Sequence, residues 1–116
     1  MADTGLLGPH PLNSDRVDNY VGDGIGAYAL GSANINGGLN VRYVGRSDND
    51  LNARLKNWVG SYTHFKFGHF KTREGAFNHE CRIFHDFGGV EGLDNSIHPA
   101  RPAGATYGCL HCRIFD

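Results

Sequence analysis

The chain has few cysteines and no long apolar run, and each of these shortages excludes some classes of protein. Its 116 residues include three cysteines, an odd number whose spacing is unlike a disulfide framework. We therefore expect a reducing, intracellular setting such as the cytoplasm. No run of about 18 apolar residues occurs, so no membrane-spanning segment is expected. The N-terminus lacks a basic stretch followed by an apolar one, so a secretory signal is not expected either.

An excess of positive charge is also missing. The chain has 11 Lys and Arg against 12 Asp and Glu, which gives a net charge of −1. Nucleic-acid binders usually carry a basic face, so any such face must be a local patch here. The length suits one domain with a modest core. We divide the chain into an N-terminal arm (1–20), a domain (21–100) and a C-terminal tail (101–116).

Glycine is abundant, with 17 residues, and this number is typical of many tight turns. The stretch 26–55 organises the rest of the chain. Its apolar run 26–30 and its β-branched and aromatic run 40–45 flank a turn cluster at 34–38, so they predict a β-hairpin. Residues 64–70 alternate between apolar and polar side chains and predict a third strand.

Two amphipathic helices are predicted after the hairpin. The first runs from about 48 to 59 with Ser47 as its N-cap, and the second runs from about 72 to 87 with Thr72 as its N-cap. The expected fold class is therefore α+β, with a small three-stranded antiparallel sheet flanked by helices.

Each predicted helix carries a charge on its apolar face. Arg54 lies at the edge of the first apolar stripe or within it, and Glu80 lies in the middle of the second. A buried charge needs a partner or a ligand. Arg54 could extend past Trp58 to solvent, pair with a core carboxylate or contact a ligand. Glu80 could pair with Arg54 or bind a metal ion.

The stretch 26–55 resembles the first half of a GIY-YIG nuclease domain. The two signature triplets appear as Gly26-Ala27-Tyr28 and Tyr43-Val44-Gly45, and the family's helix arginine falls on Arg54. The resemblance covers about residues 25–98. It implies a GIY-YIG-like fold and a metal-dependent endonuclease that hydrolyses phosphodiester bonds in DNA, with RNA as the other possible substrate. The catalytic residues that it implies are Tyr28, Tyr43, Arg54, Glu80 and Asn95.

The resemblance also implies roles in catalysis. Glu80 would hold one Mg²⁺ or Mn²⁺, and one of the two tyrosines would act as general base. A free phenol has a pKa of about 10, so a nearby cation such as Arg54 or Arg46 must lower it. We place Arg46, Lys66 and His64 as substrate-binding residues.

The C-terminal tail contains Cys109-x-x-Cys112. Together with Cys81 and His85, which lie one helical turn apart, these cysteines could hold a structural zinc ion. Free thiols and a redox pair are the open alternatives. For the whole chain, the alternative to a nuclease is a non-catalytic nucleic-acid or protein-interaction module on the same fold. The sequence does not indicate an oligomeric state.

Overall fold

Four antiparallel strands form a sheet in the computed structural model, which describes residues 4–95. The strands are β1 (Leu7–Pro11), β2 (Gly26–Ala33), β3 (Leu39–Ser47) and β4 (His64–His69). Their order is β1-β4-β2-β3, so β1 and β3 are the two edges. The predicted α+β class is confirmed, but the predicted number of three strands is wrong. The additional strand, β1, comes from the N-terminal arm and pairs with β4.

The described helices are α1 (Ser14–Tyr20), α2 (Leu51–Lys56), α3 (Arg73–Asp86) and α4 (Gly89–Gly92). The helix predicted at 48–59 is shorter than expected, because Ser47 is still the last residue of β3. The N-cap of α2 is Asp50, whose side chain accepts a hydrogen bond from the Ala53 backbone N–H at 3.0 Å. The second helix is confirmed with its Thr72 cap. Among these helices, none is long and apolar enough to cross a membrane.

The sheet separates two apolar layers. One layer lies on the side of α1 and α2, where the aromatic side chains of β2 and β4 are fully or nearly buried. The other layer lies between the sheet and α3, which packs on β2 and β3. The buried members of the first layer are Leu12, Val17, Val21, Tyr28, Leu30, Leu51, Leu55, Phe65 and Phe67, and those of the second are Leu6, Ala29, Val44, Ile83, Phe84 and Leu93.

A β-bulge shifts the register between β2 and β3. Leu30 pairs with Tyr43, but the next residue of β2, Gly31, pairs with Val41. Strict alternation would place Val41 on the same face as Tyr43. Because the bulge adds one residue to β3, Val41 packs instead with the α3 layer. Tyr43 remains on the face of α1 and α2.

Candidate functional site

Tyr28 of β2 lies across the neighbouring strand β3. It pairs with Gly45, and only 1% of its surface is exposed. A Cβ atom on Gly45 would lie 2.3 Å from the Tyr28 Cζ and hydroxyl oxygen, so only glycine leaves room for this ring. The Tyr28 hydroxyl accepts a hydrogen bond from Trp58 Nε1 at 2.9 Å. The ring and its hydroxyl are therefore fixed.

Tyr43 of β3 lies beside Tyr28. The two ring centroids are 6.5 Å apart, and the ring planes are 21° from parallel. Tyr43 is half-buried, and its hydroxyl makes no hydrogen bond to any of residues 4–95. The hairpin therefore presents one tyrosine hydroxyl that is held by Trp58 and a second that is available to another molecule.

Burial raises the pKa of both tyrosines. For Tyr28, the hydrogen bond from Trp58 and the positive charge of Arg54 oppose this rise in pKa, whereas the negative charge of Glu80 adds to it. The charges of Glu80 and Arg54 act in the same directions on the pKa of Tyr43. Both phenols are therefore neutral in the protein alone, and both lie within electrostatic reach of Glu80 and Arg54.

Glu80 lies on α3 with 6% of its surface exposed. Its Oε1 accepts a hydrogen bond from Arg46 Nη1 at 2.9 Å. The same guanidinium donates from Nε to Asp48 Oδ1 at 2.6 Å and lies 5.3 Å from the centre of the Phe77 ring. Burial raises the pKa of Glu80, and Arg46 opposes the rise. The ion-pair partner of Glu80 is thus Arg46, and the sequence-based alternative of a pair with Arg54 is wrong.

Arg54 is exposed on α2, contrary to our expectation that it lies at or within the buried face. The reason is the shortness of α2, whose buried side consists of Leu51 and Leu55. Within residues 4–95, Arg54 has no ion pair and no side-chain hydrogen bond. Its charge is therefore available to an anion near Tyr43.

Asn95 joins the chain beyond α4 to the edge strand β3. Its Nδ2 donates to the Val44 carbonyl oxygen at 2.8 Å, and its Oδ1 accepts from the Val44 N–H at 3.0 Å. The neighbouring Asp94 backbone N–H donates to the Arg42 carbonyl oxygen. Asn95 therefore positions the strand segment between Tyr43 and Gly45, and both ends of its amide are used in doing so.

The other predicted site residues lie apart from this cluster or at its margin. His64 and Lys66 are on β4, which β2 separates from β3. Cys81 is buried on α3 and takes part in a disulfide bond, whereas His85 is exposed. A sulfur in a disulfide does not ligate zinc at the same time, so zinc binding requires reduced Cys81. Cys109 and Cys112 lie outside the described residues, and the zinc site stays a prediction.

A hard divalent cation fits the donor chemistry of the site. Glu80 and Asp48 supply carboxylate oxygens, and Mg²⁺ is commonly held by one or two carboxylates with water completing its shell. Within the described part of the chain, no group of three or more His, Cys, Asp or Glu could hold a metal ion. Arg46 donates hydrogen bonds to both carboxyl groups, so a cation would have to compete with its guanidinium.

Sequence reasoning missed two residues of this site. Asp48 lies two positions after Arg46, a spacing that puts both side chains on one side of extended backbone, and this signal could have been used. Trp58 was named only as a residue that Arg54 could extend past, because no local pattern shows that its N–H meets a tyrosine of another element. The chain matches no protein-family profile, no curated protein and no solved structure.

Proposed function

We propose that the protein is a metal-dependent endonuclease of the GIY-YIG type that hydrolyses phosphodiester bonds in DNA. One observation carries the proposal: two near-parallel tyrosines lie within electrostatic reach of a buried glutamate and an exposed arginine. The resemblance selects Tyr28, Tyr43, Glu80 and Arg54 from the sequence alone. The two tyrosines lie side by side on neighbouring strands, and the charges of Glu80 and Arg54 act on both of them; this arrangement supports the proposal.

In the proposed site, charged side chains act on the metal ion and the phosphate, and tyrosine hydroxyls act on the attacking water. Glu80, with Asp48 beside it, would hold one Mg²⁺ or Mn²⁺, and the ion would supply positive charge for the phosphate and the leaving oxygen. Arg54 contacts the phosphate, since its guanidinium is exposed and suits a phosphate geometrically. Arg46 keeps the two carboxylates in place. Asn95 positions β3 through its paired hydrogen bonds to Val44.

Tyr43 is the better candidate for the general base. Its hydroxyl is available, whereas the Tyr28 hydroxyl already accepts a hydrogen bond from Trp58. Because burial raises the pKa of Tyr43, the phenol can lose its proton only when positive charge is brought to the site. Tyr28, which is fixed by Trp58, then orients the attacking water.

A cleavage assay on plasmid DNA, with and without Mg²⁺, tests the proposal. Wild type should cut DNA only with the metal, and Glu80→Gln should remove cleavage because a neutral amide is a poor ligand for a hard cation. Glu74→Gln is the matched control, since it removes one negative charge from an exposed position on the same helix. Equal cleavage by Glu80→Gln and wild type would exclude the assigned role of Glu80.

The Arg46–Glu80 ion pair favours a second candidate function, a non-catalytic interaction module on this fold. The guanidinium already satisfies the carboxylate that the enzyme would use for its metal. A chain that binds nucleic acid or protein and cuts no DNA or RNA in the same assay would support this alternative.

A further inference from the structure

Three aromatic side chains beside the tyrosine pair form a surface that hydrolysis itself does not require. We call Tyr43, Trp58 and Tyr62 the aromatic platform. Ring centroids are 4.5 Å apart for Tyr43 and Trp58, 6.0 Å for Trp58 and Tyr62, and 6.5 Å for Tyr43 and Tyr62. Each ring is partly exposed and packs on the buried core beneath it. The platform is therefore held by the core and still open to another molecule.

Side-chain hydrogen bonds fix the orientation of two of these rings. Trp58 Nε1 donates to the Tyr28 hydroxyl at 2.9 Å, and the Tyr62 hydroxyl donates to Asp94 Oδ2 at 2.8 Å. Both polar atoms are thus satisfied within the protein. What remains for a ligand is the apolar surface of the rings, which suits stacking rather than hydrogen bonding.

Two exposed arginines act electrostatically on the platform. The charge of Arg54 acts on Tyr43, and the charge of Arg42 acts on Tyr62. Arg42 also pairs with Asp94 at 2.8 Å and so offsets the carboxylate that Tyr62 contacts, while 57% of its side chain stays exposed. Aromatic surface and positive charge therefore occur together here, although the whole chain has a net charge of −1.

We propose that the aromatic platform binds unpaired nucleotides of a single-stranded nucleic acid. Trp58 and Tyr62 stack on bases, and Arg54 and Arg42 contact the flanking phosphates. Every base has a π face, so stacking gives affinity without requiring a particular sequence. In a duplex, neighbouring base pairs cover these faces. The inference rests on the proposed function, because it names unpaired regions as the substrate class of the nuclease.

The single tryptophan of the chain makes the platform directly measurable. Trp58 is the only tryptophan, so a change in intrinsic tryptophan fluorescence reports on the platform alone. The full chain is titrated in EDTA with oligothymidylate of about ten nucleotides, a length within the usual site sizes for single strands. An abasic strand of the same length carries the phosphates without bases, a duplex carries covered bases, and oligouridylate separates RNA from DNA.

We expect oligothymidylate or oligouridylate to quench Trp58, and the abasic strand and the duplex to bind at least about fivefold more weakly. Tyr62→Leu should weaken binding of the preferred strand by about 5- to 150-fold, the range measured for removal of one stacking side chain. Tyr62→Phe should bind like wild type. Both variants lose the hydrogen bond to Asp94, so their difference isolates the aromatic ring.

Tyr20→Leu is the control for an exposed aromatic ring outside the platform, since Tyr20 stacks on His10 at a centroid distance of 4.0 Å. It should leave binding unchanged. The proposal is overturned if neither single strand quenches Trp58, if the abasic strand or the duplex binds as tightly, or if Tyr62→Leu equals Tyr62→Phe. If Tyr62→Leu does not fold, the binding of wild type to the single strands, the abasic strand and the duplex still tests the proposal.

Binding in EDTA and cleavage in Mg²⁺ separate this proposal from the proposed function. If a single strand quenches Trp58 but no substrate is cleaved, the result supports the binding role of the platform and excludes the proposed nuclease function. If DNA is cleaved but quenching does not depend on bases, the result supports the proposed nuclease function and excludes the binding role of the platform.

Discussion

Glu80 should make the stability of the fold depend on pH. The side chain is 6% exposed, and burial raises its pKa above the ordinary range of a glutamate, against the opposing charge of Arg46. Between the ordinary pKa and the raised one, the folded state holds a proton that the unfolded state has released. The contribution of Glu80 to the free energy of unfolding is therefore greatest at acid pH and falls as the pH rises through this window.

The magnitude follows from linkage. When the folded state binds one more proton than the unfolded state, the free energy of unfolding falls by at most about 1.4 kcal/mol for each unit by which the pH rises. Glu80→Gln keeps the shape of the side chain and an oxygen that can accept from Arg46, but it cannot ionise. Relative to wild type, the variant should therefore become more stable with each step from pH 5 to pH 8, because burial raises the pKa of Glu80 to about 8.

Urea denaturation of the metal-free chain at several pH values measures this difference. Subtracting the two proteins removes the contributions of other groups, such as His10, whose pKa is lowered by burial and by Arg16 and whose effect has the opposite sign. Glu74→Gln controls for the loss of one negative charge. If the free-energy difference between wild type and Glu80→Gln is constant over this range, or if wild type gains relative stability as the pH rises, the reasoning about Glu80 is refuted.

Two further predictions concern packing and metal. Gly45→Ala should lower the free energy of unfolding by about 1–3 kcal/mol, because its Cβ would lie 2.3 Å from Tyr28 Cζ. The same substitution in a Tyr28→Leu background should cost less, and denaturation curves of the single and double mutants measure the difference. If reduced Cys81 is a zinc ligand, protein purified under reducing conditions without chelator should contain about one zinc ion and lose thermal stability in EDTA. Reduced protein that contains no zinc would contradict the zinc site.

The parts of the fold that were predicted correctly depend on local signals. The strands 26–30, 40–45 and 64–70 are visible as short apolar or alternating runs, and the Thr72 cap marks the start of α3. The wrong prediction for the start of α2 also has a local cause. Ser47 and Asp50 are both good N-cap residues, and the sequence does not show that the strand continues through Ser47.

The strand β1 was missed because its sequence opposes a strand assignment. Leu7–Pro11 contains a glycine and two prolines, and proline is tolerated in a sheet mainly on an edge strand. Here β1 is an edge, and its pairing with β4 joins residues that are far apart in the chain. A local pattern carries no information about such a pairing. The same limit applies to Asn95, which we placed in the site from the resemblance and whose paired contacts to Val44 are tertiary.

The choice between Arg46 and Arg54 shows how a tertiary contact changes the chemistry of the site. From the sequence, either arginine could supply the positive charge near the tyrosines. In the fold, Arg46 is enclosed by Glu80, Asp48 and the Phe77 ring, so its guanidinium is already used by these two carboxyl groups. Arg54 stays exposed, and its charge acts on Tyr43. Since a buried ion pair is held mainly by its own partners and an exposed guanidinium can still change partner, Arg54 is the cation that an incoming phosphate can recruit.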